Sequence, residues 1–193
     1  MSDGIAAGRT ALVDELKAYS TYNAGEARMR DRIVAFVAAE PRAFARELEI
    51  GHLTASAWIV DPAGTRALLT HHRKANRWFQ PGGHADGDPD LRRAALREAR
   101  EETGLTTLRF ASAAIYDVDV HPIPARKGEP AHEHFDVRFA FFADPDEPFV
   151  VSDESHALAW VALGALREYG ADASVLRLAR KTAALLRPPS REG

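Results

Sequence analysis

The 193-residue chain contains no cysteine, which excludes both disulfide cross-links and thiolate metal sites. Aromatic residues make up 8% and methionine occurs twice, so a core has to be built mainly from aliphatic side chains and alanine. No apolar run approaches the roughly 20 residues that a membrane-spanning helix needs. The opening Met-Ser-Asp-Gly lacks the charged n-region and apolar h-region of an export signal. A cytoplasmic protein with no membrane partner is expected. Neither sign of charge dominates: 25 Lys and Arg stand against 28 Asp and Glu, for a formal charge of -3 and a pI near 6.2. Duplex nucleic acid is therefore not an expected partner, and an anionic ligand has to be met by local arginines or a bound cation rather than by the global field. The 46% hydrophobic content suffices for one substantial core with an appendage.

What is present reads in order. Leu12, Leu16 and Tyr19, then Met29, Ile33, Phe36 and Val37, recur at helical spacing and predict two N-terminal helices. These make residues 1–50 a helical extension, read as a packing appendage or a homodimer contact. Pro41, Phe44 and Leu48 suggest a further helical turn. Residues 53–60, with Trp58 among them, and 66–70 read as strands joined by the Asp61-Pro62-Ala63-Gly64 turn, a hairpin pattern. A strand over 108–120 follows, then a proline-rich loop from Pro122 to Pro130.

The next strand, His132 to Phe142, alternates cleanly. Phe135, Val137, Phe139 and Phe141 point one way; His132, His134, Asp136 and Arg138 point the other. The polar side is expected to be a solvated sheet face, or one whose histidines touch a substrate or a metal. A strand near 157–161 precedes helices at 163–169 and 171–186. Pro188-Pro189 ends the last helix, which places the main domain at 51–187 and a disordered tail at 188–193.

The densest signal lies at Arg97-Glu98-Ala99-Arg100-Glu101-Glu102-Thr103-Gly104-Leu105, after a Gly82-Gly83-His84 turn. Glu98, Glu101 and Glu102 are spaced i, i+3, i+4 and so fall on neighbouring positions of one helix. Two readings stand at this point. One is a solvated acidic face balanced by Arg92, Arg93, Arg97 and Arg100; the other is an oxygen-ligand set for a hard divalent cation. Asp88 as N-cap, Pro89 at the first helical position and Gly104 as a left-handed stop predict a helix over 89–103. Leu91, Ala94, Ala95 and Ala99 give it a narrow inner stripe, which lets it pack close to a sheet.

These residues resemble the Nudix hydrolase signature: Gly, five residues, Glu, seven residues, Arg-Glu, an apolar residue, any residue, Glu-Glu, any residue, Gly and an apolar residue. Gly83 starts the pattern, and Arg97, Glu98, Glu101, Glu102, Gly104 and Leu105 match it. The first Glu falls on Pro89, with Asp86 and Asp88 the nearest acids. The resemblance implies an α/β/α sandwich around a mixed sheet, here with an N-terminal helical extension. It implies Mg²⁺ or Mn²⁺ held by Glu98, Glu101 and Glu102, and hydrolysis of a phosphoanhydride in a small-molecule substrate. Arg97 is then the residue that pairs with and orients the glutamates. In the place where such proteins carry a general base, Ser152-Asp153-Glu154-Ser155 offers Glu154 first and Asp153 second, or only an acidic turn.

Arg73 and Arg77, just before Gln80-Pro81-Gly82-Gly83-His84, are candidates to hold phosphate, with His84 as a further donor, and His134 and Asp136 are the other substrate-binding candidates. Trp78 is core or a stacking platform. Three alternatives remain at this stage: a non-catalytic sensor of the same fold, a prenyl diphosphate isomerase disfavoured by the missing cysteine, and a zinc site built from His121, His132 and His134.

Overall fold

The computed structural model describes residues 2–126 and 128–186; the tail expected at 188–193 lies outside the described residues. Its elements are α1 (Ser2–Ala18), α2 (Ala24–Ala39), β1 (Gly51–Val60), β2 (Arg66–His72), β3 (Arg77–Phe79), β4 (Gly82–His84), α3 (Leu91–Thr103), β5 (Arg109–Phe110), β6 (Asp117–Ile123), β7 (His132–Phe142), β8 (Ser155–Ala162) and α4 (Ala173–Leu185). They gather into two compact units, each discontinuous in sequence. The first draws on residues up to 57, 82–98 and 113–139; the second draws on 58–81, 99–112 and the residues from 140 onward.

In the first unit, α2 starts where the Asn23 side chain accepts the Glu26 amide at 3.0 Å, an N-cap that satisfies one of the unpaired first-turn donors. The apolar stripe read from the sequence is the buried one: Leu12, Leu16, Ile33 and Val37 are in the core. Phe36 of α2 stacks on Phe135 of β7 with ring centroids 3.9 Å apart. Buried Glu26 is satisfied by the Tyr19 and Thr21 hydroxyls, both at 2.5 Å, and the Tyr19 hydroxyl also lies 3.0 Å from the Tyr116 carbonyl. The N-terminal helices are thus packed into this unit by both apolar and hydrogen-bonded contacts.

Glu133 donates to the Ile50 carbonyl, and, at the other end of the same two strands, Ala143 donates to the Val60 carbonyl. The same offset at both ends means that β1 and β7 run parallel. β4 lies antiparallel on β1, with Thr54 opposite His84 and Ser56 opposite Gly82. β6 lies antiparallel on β7, from Asp117 opposite Arg138 to Ile123 opposite His132. The sheet is therefore mixed, and with its flanking helices it has the α/β/α class expected from the sequence. All of β1 is buried, as a strand covered on both faces should be.

In the second unit, β2 pairs antiparallel with both β3 and β8. The 61–64 turn forms as expected, closed by Gly64 donating to the Asp61 carbonyl at 2.9 Å. Burial works against the Asp61 charge, but bonds from Arg66 and Thr65 hold its carboxyl below the usual range. The indole of Trp58 donates to Thr182 of α4 at 3.0 Å, so this tryptophan is core. Asp172 caps α4 by accepting from Ser174 and Val175.

Several boundaries differ from the sequence reading. α3 begins at Leu91, because Asp90 rather than Asp88 accepts the Arg92 and Arg93 amides; Asp88 instead holds the preceding turn through the Asp90 amide. The strand expected over 108–120 is split into β5 and β6, with the small residues Ser112, Ala113 and Ala114 looping out between them. The segment after Pro41 forms successive i to i−3 turns, and the helix expected at 163–169 is a 3-10 turn over Leu163–Ala165. The short strands β3 and β4 had no signal in the alternation pattern. Finally, the polar side of β7 is solvated only in part: His132 and His134 are half-buried, while Asp136 and Arg138 are each 2% exposed.

Candidate functional site

Glycine at 82 and 83 is required by close approach. A Cβ at Gly82 would lie 2.7 Å from the Ser56 Cα across the ladder, and one at Gly83 would run into the carboxylate of Glu98. The turn and the front of α3 are therefore pressed together, and Glu98 occupies the space that the missing side chain leaves. Arg97 stabilises that position. Its guanidinium lies 3.0 Å from the Glu98 carboxylate, donates to the His84 carbonyl at 2.8 Å and reaches Asp86 at 3.4 Å.

The departure from the signature at Pro89 has a local counterpart. The Pro89 ring fills the space beside Gly8 of α1, where a Cβ would collide with it. The two nearby acids are held in ion pairs, Asp86 with Arg97 and Asp88 with Arg93. Bonds from Arg93 and Asp90 outweigh burial and keep the Asp88 carboxyl below its ordinary pKa.

Along α3 the glutamates differ in exposure. Glu98 is half-buried, Glu101 is exposed and Glu102 is 6% exposed. Carboxylates one helical turn apart are hard oxygen donors, and the glycine cradle at Gly83 leaves room for one of them. Hard oxygen donors of this kind are the chemistry a divalent cation takes.

In the second unit, Arg73 donates its amide to the Glu154 carbonyl and its Nε to the Ser155 carbonyl, both at 2.8 Å. The Asp153-Glu154 turn is thereby fixed by backbone bonds, while both acidic side chains remain exposed. Arg77 is exposed on β3 and pairs with Asp172 at 3.4 Å. Trp78 is half-buried, stacked on His71 at 4.9 Å and edge-on to Tyr169 at 5.3 Å.

Two substrate candidates are drawn inward. Asp136 accepts from Thr54 at 3.0 Å, from Ser56 at 2.9 Å and from Arg138 at 2.7 Å. Arg138 also faces Asp117 at 3.4 Å and Asp119 at 3.3 Å. Burial opposes the Arg138 charge, but Asp136, Asp119 and Asp117 more than offset it and hold its pKa above the ordinary value. The Asp136 carboxylate is thus occupied inside the sheet. His134 is likewise turned into a histidine cluster rather than onto an open face. Its Nε2 is buried without a hydrogen-bond partner, and burial, with His121 and His84 nearby, pushes its pKa down to about 2. His84 is pushed down to about 4 by burial and by Arg46.

Among the described residues, the group of three metal-ligating side chains whose donor atoms all lie within 4.8 Å of one another is His52, His132 and His134. Two of these belong to the trio expected from the sequence; His52 takes the place of His121. The signal for His52 was faint: a lone histidine beside Gly51, just before the strand read over 53–60. Its partnership with β7 depends on parallel pairing across 80 residues, which no local pattern reports.

The fold is shared with solved hydrolases. A Caenorhabditis elegans Ap4A hydrolase in a binary complex matches with a TM-score of 0.56 at 22% identity, over 69% of this chain and 96% of that one. A NUDIX-family hydrolase from Clostridium perfringens matches at 0.53 and 25% identity, over 70% and 98%. The Mycobacterium smegmatis Nudix hydrolase RenU matches at 0.53 and 19%, over 73% and 91%. No curated protein matches the sequence. The NUDIX domain family profile matches residues 51–180. The chain belongs to the Nudix family, and its class is that of a pyrophosphohydrolase acting on phosphoanhydride bonds.

Proposed function

We propose that this protein uses Mg²⁺ or Mn²⁺ to cleave a diphosphate linkage in a nucleoside diphosphate derivative or a related small metabolite. The observation that carries the reading is Glu98 seated in the Gly83 cradle and clamped by Arg97, inside a signature that also supplies Glu101 and Glu102. In this reading Glu98, Glu101 and Glu102 hold the ion. When bound, it neutralises phosphate charge and acidifies water.

The chain's own groups do the rest. Arg97 keeps Glu98 in one orientation. Glu154, on a turn fixed by the Arg73 bonds, takes the proton from the attacking water, with Asp153 as the second candidate. Arg73, Arg77 and His84 meet the anionic oxygens of the substrate. The proline-rich loop from Pro122 to Pro130 is the seat of selectivity, because exposed loops on a rigid sheet are where binding residues vary. Asp136 leaves the substrate set, since its carboxylate is buried and taken up by Thr54, Ser56 and Arg138, and His134 leaves it because its Nε2 is buried in the histidine cluster.

The test is a screen for release of nucleoside monophosphate or phosphate over ADP-ribose, nucleotide sugars, dinucleoside polyphosphates and oxidised nucleoside triphosphates. Turnover should vanish in EDTA, return with Mg²⁺ or Mn²⁺, and be lost in Glu102→Gln with the fold retained. Undiminished turnover in chelator, or full activity in that variant, rejects the reading.

A further inference from the structure

We propose that His52, His132 and His134 form a second metal site, separate in chemistry from the glutamates, that takes a borderline divalent transition ion, for which Zn²⁺ is the probe. Three observations meet here.

The first is geometry. His132 and His134 are two apart on β7 and so share one face of the strand, while His52 stands on the parallel neighbour β1. Their donor atoms already lie within 4.8 Å of one another. A tetrahedral ion with nitrogen ligands at about 2.0–2.1 Å holds them roughly 3.3 Å apart, a closure that small ring rotations supply. The ring centroids of His52 lie 5.0 Å from those of both His132 and His134.

The second is the arrangement of protons. His52 Nδ1 faces the Leu48 carbonyl at 3.4 Å, and His132 Nδ1 faces the Pro130 carbonyl at 2.9 Å. A carbonyl oxygen only accepts, so in each ring the hydrogen is on Nδ1 and the lone pair is on Nε2. Metal-ligating histidines are oriented in this way by a backbone carbonyl behind the ring.

The third is an unmet need. His52 is 3% exposed, and both its Nε2 and that of His134 are buried with no hydrogen-bond partner. A buried polar atom left unpaired is costly, and two aimed into one cluster call for a shared partner.

Imidazole nitrogen selects Zn²⁺, Co²⁺, Ni²⁺ or Cu²⁺ over Mg²⁺, whereas the α3 carboxylates have the reverse preference. His84, with its ring 5.0 Å from His52 and 5.3 Å from His134, and His121, 5.4 Å from His134 and bonded to Asp119 at 3.3 Å, border the site. A surface cavity of about 380 Å³ lined by Ile50, Pro122 and His132 provides an approach.

The full chain, stripped with chelator and then given excess Mg²⁺ to fill any carboxylate site, is titrated with Co²⁺ and separately dialysed against Zn²⁺. One ion per chain should bind, with the strong visible absorption of four-coordinate Co²⁺, and Zn²⁺ should raise the melting temperature. His132→Gln, chosen because His132 is half-exposed, should weaken binding by at least about tenfold and remove the thermal shift. Glu98→Gln should leave Zn²⁺ binding as it is. Absence of the visible band, or equal binding in His132→Gln, overturns the site. Loss of binding in Glu98→Gln but not in His132→Gln assigns the ion to the glutamates and overturns it as well. None of these readouts depends on turnover.

Discussion

The guanidinium of Arg97 stands 3.0 Å from the carboxylate of Glu98, its neighbour in sequence. Adjacent residues on a helix do not face one another. The pair forms because the long arginine side chain folds back to reach the turn, where the His84 carbonyl and Asp86 also receive it. One fork thus ties the start of the signature to its helix.

Arg97→Lys should therefore lower kcat/KM by about 10- to 100-fold, the usual cost of losing a group that orients a ligand. The point charge of lysine does not span three acceptors. Steady-state kinetics with varied Mg²⁺ would show the deficit partly relieved at high metal. Equal kinetics at all metal concentrations would refute the orienting role.

Gly83→Ala places a methyl group where the Glu98 carboxylate sits. Displacing a catalytic carboxylate by about 1 Å costs on the order of 100-fold in rate, so activity should fall by that factor while circular dichroism remains native. A fully active alanine variant would mean that Glu98 does not need its present position.

Arg138→Met should destabilise the fold by about 3–5 kcal/mol, because it strips the cation from the buried carboxylates of Asp117, Asp119 and Asp136. Urea unfolding measures this directly. A loss below about 1 kcal/mol would show that those acids are readily protonated or hydrated in the variant.

In metal-free protein, the histidine cluster should make stability fall as pH falls below 6.5. The folded-state values of His84 and His134 are about 4 and about 2 against an ordinary 6.5. Between pH 6.5 and 4 the unfolded chain therefore takes up protons that the folded chain refuses. The contribution from His84 is complete above pH 6.5 and levels off below about 4, while that from His134 continues to fall. Melting temperature should drop by at least about 4 °C from pH 7 to pH 5, and less in His84→Gln. A flat profile over that interval would contradict the buried, neutral state of these rings.

Much of the candidate site is legible locally. Gly104 does stop α3, at φ +70, with its amide bonded to the Arg100 carbonyl at 2.8 Å. The phenylalanines of β7 are buried where alternation puts them, apart from Phe142 at the strand end. The start of α3 slipped from Asp88 to Asp90 because both acids can cap, and it is Asp90 that accepts the Arg92 and Arg93 amides.

The sequence by itself determined the signature helix, the spacing of its glutamates and the family, because each rests on contacts within a few residues, where periodicity and caps act. Tertiary structure alone decided that His52 joins His132 and His134, that Asp136 and Arg138 are interior, and that the strand after α3 breaks in two. Each of those depends on which strand lies beside which. Pairing between residues far apart is set by the summed burial of the sheet, and no short window of sequence carries that sum.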